Sequence, residues 1–238
     1  IGVRLVGSEM CIRDRDSRVG ISFGYNNSQV NASNLLRSNN ISTYTANLYS
    51  GKSFGKYFVD GVLGFGWNEY ESYRTIDTAG VTARGQYSGQ NYLAKLRGGI
   101  VIDNIKESNF SLIPEISTTI VNSRVDSYTE EDAGSLGLQV RSNSNEFWEG
   151  RFGVNLEKEP IKSNLFSKNK KFLISPKLHA SYGYNFLNKK QSTVANFVGN
   201  NVSFSNVAMK IGSGSFRSGV ALEIYDLDAK RDYLWADD

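Results

Sequence analysis

The feature of this sequence that most limits its fold is a strict alternation of apolar and polar residues along one long segment. From Phe172 to Phe186 every even position is apolar or aromatic, whereas Leu173 is the only apolar residue among the odd positions. Successive side chains of a β-strand point to opposite faces of a sheet, whereas a helix with 3.6 residues per turn cannot gather alternate residues on one face. The segment therefore predicts a strand with one apolar and one polar face.

The same alternation recurs along the chain and predicts about nine strands in all. Besides 172–186, they fall within residues 19–25, 43–48, 57–67, 91–100, 110–120, 148–156 and 216–224, with a shorter run at 232–236. Most runs reach the ~9–11 residues that a tilted strand needs to cross a bilayer, and exceed the ~5–6 of ordinary soluble sheets. The sequence therefore predicts an all-β fold, an antiparallel up-and-down transmembrane β-barrel.

The connections between these runs alternate in length. We expect long loops at 27–40, 70–89, 123–144 and 187–212, and short turns at 51–56, 103–108 and 226–230, whereas 158–171 is intermediate and fits poorly. Outer-membrane barrels have short turns on the periplasmic side and longer loops outside the cell. A soluble sandwich has no reason to sort its loops in this way.

Composition agrees with strands and narrows the possible partners. The chain has only 3 Pro but 23 Gly, 13 Tyr and 13 Phe, and no run approaches the ~20 apolar residues of a membrane-spanning helix. The mean hydropathy of −0.38 suits a barrel, because each strand carries apolar residues only at every second position. A net charge of only +3, scattered along the chain, argues against a nucleic-acid partner.

The two faces of the predicted strands suit different surroundings. A cation near the middle of a bilayer costs roughly 2–4 kcal/mol, so the charged positions should face a hydrated lumen. We expect the lumen-facing polar residues to be Lys95, Arg97, Glu115, Glu149, Arg151, Lys177, His179, Arg217 and Glu223. We expect the lipid-facing residues to be Phe65, Trp67, Tyr92, Leu96, Ile116, Trp148, Phe152, Phe172, Ile174, Leu178, Tyr182, Phe186, Phe216 and Leu222. A conduit lining and a network that stiffens a narrow barrel explain the inner charges equally well.

Catalysis is not expected, and neither is a metal ion or a cofactor. The sole histidine, His179, falls on the lumen side beside Lys177, where a polar lining residue is the ordinary explanation. The acidic run 130–132 suits a solvated loop tip, and the Gly-Ser run 212–215 lacks the lysine of a phosphate-binding loop. The single cysteine, Cys11, allows neither a disulfide framework nor a cysteine-based metal site.

Four segments resemble the β-domain of autotransporters, the translocator barrel of type V secretion in Gram-negative bacteria. They are Tyr57–Tyr70, the proline-bearing run Leu112–Ile116, the run Asp126–Glu130 and the run Ser215–Glu223. The resemblance covers residues 16–238 and is closest in style to alphaproteobacterial surface antigens. It implies a barrel of twelve strands in the bacterial outer membrane that exports its own N-terminal passenger to the cell surface. It also implies outer-membrane lipid, the barrel-assembly machinery and periplasmic chaperones as partners.

Both ends of the chain depart from this family pattern. Residues 1–15 resemble a translated sequencing adapter, so we expect them to be non-native and take 16–238 as a partial β-domain. The run 19–25 resembles the family's third strand, and Asp237 and Asp238 do not resemble its aromatic end. We therefore expect strands to be missing at both ends.

Two other classes of protein remain possible on these observations. One is a stand-alone outer-membrane porin or adhesin barrel whose extracellular loops bind ligands. The other is a soluble β-sandwich or lectin-like domain, which would stay in the aqueous phase of a detergent extraction.

Overall fold

Antiparallel strands make up nearly all of the described chain. The computed structural model describes residues 2–13, 16–32, 36–103, 109–163, 172–187, 190–208 and 212–226. The strands are β1 (Gly2–Arg13), β2 (Ser17–Ala32), β3 (Arg37–Phe54), β4 (Tyr57–Ile76), β5 (Val81–Ile100), β6 (Phe110–Val125), β7 (Tyr128–Thr129), β8 (Leu138–Val140), β9 (Asn143–Lys158), β10 (Ile161–Ser163), β11 (Phe172–Asn185), β12 (Ser192–Phe197), β13 (Ser203–Val207) and β14 (Gly214–Asp226). Short 3₁₀ turns lie at Asp77–Ala79 and Gly134–Leu136. Within these ranges no helix is both long and apolar enough to cross a membrane.

The main sheet runs up and down through the chain in sequence order. Its strands pair as β1-β2-β3-β4-β5-β6-β9-β11, and β14 pairs with the far side of β11. The fold prediction is confirmed, since eight of the nine predicted strands coincide with β2, β3, β4, β5, β6, β9, β11 and β14. The predicted run 232–236 lies outside the described residues. The segment 1–15, expected to be non-native, contains β1, which pairs with β2.

Two of the predicted long loops are wrong. In place of the loop at 27–40, β2 continues to Ala32 and β3 begins at Arg37. In place of the loop at 70–89, β4 continues to Ile76 and β5 begins at Val81, joined by a tight turn that ends at Gly80 with φ 65°. The apolar alternation stops in these segments because both faces become polar, while the backbone ladder continues.

The predicted loops 123–144 and 187–212 contain short strands of a second sheet. Its order is β13-β12-β8-β7. This sheet continues the main one beyond β6, because the backbone N–H of Asp126 donates to Ser88 and the backbones of Arg84 and Glu131 exchange two hydrogen bonds of 3.0 and 2.7 Å. The long connections are therefore organised as an extension of the sheet.

The shorter connections are described only in part. The predicted turn at 51–56 is confirmed, since β3 ends at Phe54 and β4 begins at Tyr57. The intermediate connection 158–171 contains β10, which pairs with the start of β11. Residues 104–108, 164–171 and 227–230 of the remaining predicted connections lie outside the described residues.

Candidate functional site

The two faces of the main sheet differ sharply in burial. The exposed large hydrophobic side chains of its strands lie on the apolar parity, for example Leu63, Ile116 and Phe152. The buried positions lie on the polar parity and are Gly20, Gly51, Gly66, Asn68, Ala83, Gly85, Gly89, Glu149, Gly153, Ser175, Ser181 and Gly183. Side chains crowd on the inside of a curled sheet, so the polar parity forms its inner face.

One row of paired residues crosses the inner face from β2 to β14. Each member is the direct cross-strand partner of the next, in the order Arg18, Gly51, Asp60, Arg97, Ser117, Arg151, Gly183 and Ser215. We call this set the ionic row. Its members carry both signs of charge, and two of them are glycines. Opposite charges on neighbouring strands stabilise a sheet, whereas like charges directly opposite destabilise it.

At the β2–β6 end of the ionic row, the Asp60 carboxylate lies between two arginines. Arg97 donates to Asp60 Oδ2 from Nε at 3.1 Å and from Nη2 at 2.6 Å, and Arg18 Nη2 lies 3.3 Å from Asp60 Oδ1. Arg97 also reaches Glu115 Oε2 at 3.5 Å. At Gly51 a Cβ atom would lie 2.4 Å from Asp60 Oδ1. The glycine therefore leaves the space in which the carboxylate lies along the sheet.

At the β9–β14 end, a second ion pair lies deeper. Arg151 donates to Glu149 from Nε at 3.0 Å and from Nη2 at 2.9 Å, and both side chains are only 11% exposed. The Arg151 guanidinium also donates to Ser181 Oγ at 3.2 Å and to Ser215 Oγ at 2.8 Å. A Cβ at Gly183 would lie 2.5 Å from Arg151 Nη2. A pair satisfied by this many hydrogen bonds can remain charged away from bulk water.

A third charged group lies further along the same face. Lys177 Nζ is 2.7 Å from Glu223 Oε1 and 3.7 Å from Glu157 Oε1. His179 Nε2 lies 3.2 Å from Ser181 Oγ. The described residues contain no cluster of His, Cys, Asp and Glu that could hold a metal ion.

Most of the polar residues that the sequence predicted to face the lumen take part in these ion pairs and hydrogen bonds. Lys95 and Arg217 lie on the same face, and within the described ranges neither makes an ion pair. Sequence reasoning missed Arg18, Asp60 and Glu157 as members of this face. The parity of the runs could have found them, because Asp60 alternates with Val59 and Gly61.

The predicted lipid-facing residues lie on the opposite face. Ile116, Phe152, Tyr182 and Phe216 form one cross-strand row there, and Phe216 is 70% exposed. The same parity holds Phe65, Trp67, Tyr92, Leu96, Trp148, Ile174, Leu178 and Leu222. Phe186 follows the end of β11 and its ring lies 5.1 Å from that of Trp148. The side chain of Phe172 lies outside the described residues.

Beyond Trp67, three tyrosines stack on the inner face of the β4–β5 hairpin. The Tyr87 ring lies 4.8 Å from that of Tyr70 and 4.0 Å from that of Tyr128, with both pairs nearly parallel. Burial raises the pKa of Tyr87 and of Tyr128 above the usual value, so both rings remain neutral. Sequence reasoning missed this stack, because all three tyrosines fell in or beside predicted loops.

An ion pair fixes the segment after Tyr128 over the same hairpin. Arg74 binds the Glu130 carboxylate with two donors, one of them Nε at 3.1 Å from Oε1. The backbone N–H of Leu138 donates to the same carboxylate at 3.0 Å. The Glu130 side chain is 7% exposed and that of Arg74 17% exposed. The segment between β7 and β8 is therefore anchored by side chains as well as by its backbone.

Two autotransporter barrels are among the solved structures that superpose on this chain. The translocator domain of the autotransporter NalP from Neisseria meningitidis superposes with a TM-score of 0.59 at 11% identity, over 93% of this chain and 79% of that one. The β-domain of the Bordetella autotransporter BrkA superposes with a TM-score of 0.54 at 14% identity, over 93% and 88% of the two chains. Because the sequence identities are this low, the superpositions establish a shared fold alone.

Family membership follows from the sequence. No curated protein matches this chain. The family model described as the autotransporter β-domain, however, matches residues 4–226. The chain belongs to the autotransporter β-domain family.

Proposed function

We propose that this chain is an outer-membrane translocator that exports an N-terminal passenger to the cell surface, with the ionic row as part of the wall along the passenger's path. The observation that carries the proposal is that, in the part of the sheet level with Tyr57–Trp67, the ion pairs lie on one face and the other face is apolar. Membership of the autotransporter β-domain family and the shared fold support the outer-membrane translocator role.

The apolar face has the height that a bilayer requires. Its positions on β4 run from Tyr57 to Trp67. At about 3.4 Å per residue and a tilt near 40°, this segment rises roughly 26 Å, close to the ~25 Å apolar band of outer-membrane barrels. Because such strands span the membrane without a helix, we propose the bacterial outer membrane as the location, with outer-membrane lipid against this face.

The pairing of charges on the inner face suits the passage of an unfolded chain. Arg97 and Arg151 are each held by carboxylates, so neither presents a free cation to a passing segment. The glycines of the ionic row leave room for the paired charged groups, because a side chain at either position would displace them. A hydrated wall of mixed sign offers no extended apolar surface on which a passenger would stick.

A substitution that frees one arginine tests the role of this wall. In the full-length protein with its passenger, Asp60→Asn keeps the size of the side chain but removes the charge shared by Arg18 and Arg97. We expect slower appearance of protease-accessible passenger at the cell surface, with normal amounts of heat-modifiable barrel. Ser117→Ala, an uncharged change in the same row, is the control.

The possible outcomes separate the roles of the inner charges. Loss of the folded barrel in Asp60→Asn, with export per folded barrel unchanged, would mean that the charges only stiffen the wall. A parent protein that assembles without displaying any passenger would favour a stand-alone porin or adhesin barrel. Dependence of assembly on the barrel-assembly machinery and periplasmic chaperones, which the family relationship implies, is measured by depleting each in turn.

A further inference from the structure

A groove of polar side chains lies on the outer face of β2–β5, beyond the aromatic row formed by Tyr25, Tyr44 and Trp67. Two cross-strand rows build it: Ser42, Glu69 and Ser88 in the first, and Gln29, Asn40, Glu71 and Gln86 in the second. We call Gln29, Asn40, Ser42, Glu69, Gln86 and Ser88 the outer ladder. The groove along it has a volume of about 840 Å³, enough to hold several sugar rings.

Several groups of the outer ladder are available to a ligand. Within the described part of the chain, the side chains of Gln29, Asn40 and Glu69 make no hydrogen bond or ion pair. The two amides each offer donors and an acceptor, and the carboxylate offers acceptors only. Gln29 and Asn40 are direct cross-strand partners, and Glu69 is the diagonal neighbour of Asn40. Diagonal neighbours are ~7–8 Å apart, so the three groups can contact successive units of one bound chain.

The charges of the groove indicate which kind of ligand it takes. Its ten lining residues include two carboxylates and no lysine or arginine. The nearby Arg84 already binds Glu71, with Nε 3.1 Å from Oε1, and hydrogen bonds from Tyr73 and Arg84 lower the pKa of that carboxyl group. Phosphate groups are bound by arginine and lysine, so an anionic headgroup fits poorly. Sugar hydroxyls, which donate to amides and carboxylates alike, fit well.

The position of the groove relative to the lipid headgroups indicates which molecule carries the sugar. Tyrosine and tryptophan rings settle at the depth of lipid headgroups, and Trp67 lies one row below Glu69 on the same face of β4. The long connections that contain β7, β8, β12 and β13 lie at this end of the strands, and outer-membrane barrels have their longer loops outside the cell. The groove therefore begins where the headgroups of the outer leaflet begin. We propose that the outer ladder binds the saccharide chain of a glycolipid in the surrounding outer leaflet, an inference that rests on the proposed outer-membrane location.

The test measures binding of a sugar without its lipid. The full-length protein in detergent micelles is titrated with a neutral, phosphate-free oligosaccharide, and binding is followed by calorimetry. We expect Asn40→Ala to weaken binding roughly three- to tenfold, because one net hydrogen bond is lost. Asn39→Ala is the matched control, since Asn39 is the neighbouring residue on the other face of β3, and its affinity should equal that of the parent. Glu69→Gln should bind within about threefold of the parent, because an amide still accepts hydrogen bonds from hydroxyls.

Each result supports or overturns the saccharide site. Equal effects of Asn40→Ala and Asn39→Ala, or no binding by an assembled barrel, would overturn it. So would competition by inorganic phosphate, because it would identify phosphate as the ligand. Fractionation of cells that express the parent protein distinguishes failure of the saccharide site from failure of the proposed function. If the heat-modifiable barrel is found in the outer membrane but does not bind the sugar, the saccharide site alone is overturned.

Discussion

The lower and upper parts of strands β2–β5 share one backbone ladder but differ in their side chains. From Tyr57 to Trp67, β4 has apolar residues and Gly61 outside, whereas its inner positions are Phe58, Asp60, Val62, Gly64 and Gly66. From Asn68 to Ile76 the strand continues in register with β3 and β5, yet both faces are mostly polar. Backbone pairing therefore extends well past the part of the strand that the amphipathic pattern marks.

The two parts also depend on different contacts for their inner faces. In the lower part, charged side chains of neighbouring strands pair through the sheet register, as Asp60 does with Arg97. In the upper part, a distant segment supplies the partner, since Tyr128 stacks on Tyr87 and Glu130 binds Arg74. We therefore expect the lower part to specify insertion, and the order of the upper part to depend on the β7–β8 segment.

The largest effect is expected from a charge placed on the lower outer face. Leu178→Arg puts a cation on a side chain that is 49% exposed on the apolar face, and near the middle of the bilayer this costs roughly 2–4 kcal/mol. We expect strongly reduced heat-modifiable barrel in the membrane fraction. The neighbouring change Lys177→Leu removes an inner cation and should be mild, although it leaves Glu223 without this partner. Equal losses in the two variants would refute the assignment of the faces.

A smaller effect is expected from filling space on the lower inner face. At Gly99 a Cβ atom would lie 2.6 Å from the ring of Phe58 and 2.7 Å from the carbonyl oxygen of Pro114. Because that carbonyl belongs to the backbone of β6, Gly99→Ala should destabilise the folded barrel by about 1–3 kcal/mol. The measurement is the denaturant midpoint of the purified protein in micelles.

Gly61→Ala is the control for this change, because Gly61 lies on the outer face of the paired strand β4. A Cβ there meets only the carbonyl oxygen of Lys95, at 3.9 Å. Its midpoint should stay close to that of the parent. If Gly61→Ala proved as harmful as Gly99→Ala, the inner face would not be the more crowded one.

The comparison also explains how far the sequence could predict this structure. Apolar alternation located the strands because membrane-crossing segments must keep one apolar face. It could not give the partner of Arg97, since the register of β4 on β5 depends on the length of the turn between them. With residues 70–89 predicted as a long loop, Asp60 and Arg97 could be placed on one face but not opposite each other. The tight turn at Asp77–Gly80 fixes that pair.

The upper part was missed for a different physical reason. Beyond Trp67 the strands have no apolar face, so the pattern that marks a half-buried strand is absent. Tyr70 and Tyr87 are paired by the register of the β4–β5 hairpin, and Tyr128 joins them from a distant segment. Polar ladders of this kind are stabilised by backbone pairing and by local side-chain contacts, which a count of apolar positions does not detect.

The smallest effect on the barrel is expected from a change in the upper part. Glu130→Ala leaves the Arg74 guanidinium, which is 17% exposed, without its carboxylate, and an unsatisfied buried group costs about 1–3 kcal/mol. Because the pair joins the β7–β8 segment to the hairpin, the loss should appear as faster proteolysis within 126–142. The amount of heat-modifiable barrel should stay unchanged. Glu131→Ala is the control, because Glu131 is exposed and its hydrogen bonds to Arg84 are made by the backbone. A barrel that fails to assemble in Glu130→Ala alone would mean that insertion depends on the upper part as well, and the division between the two regions would have to be given up.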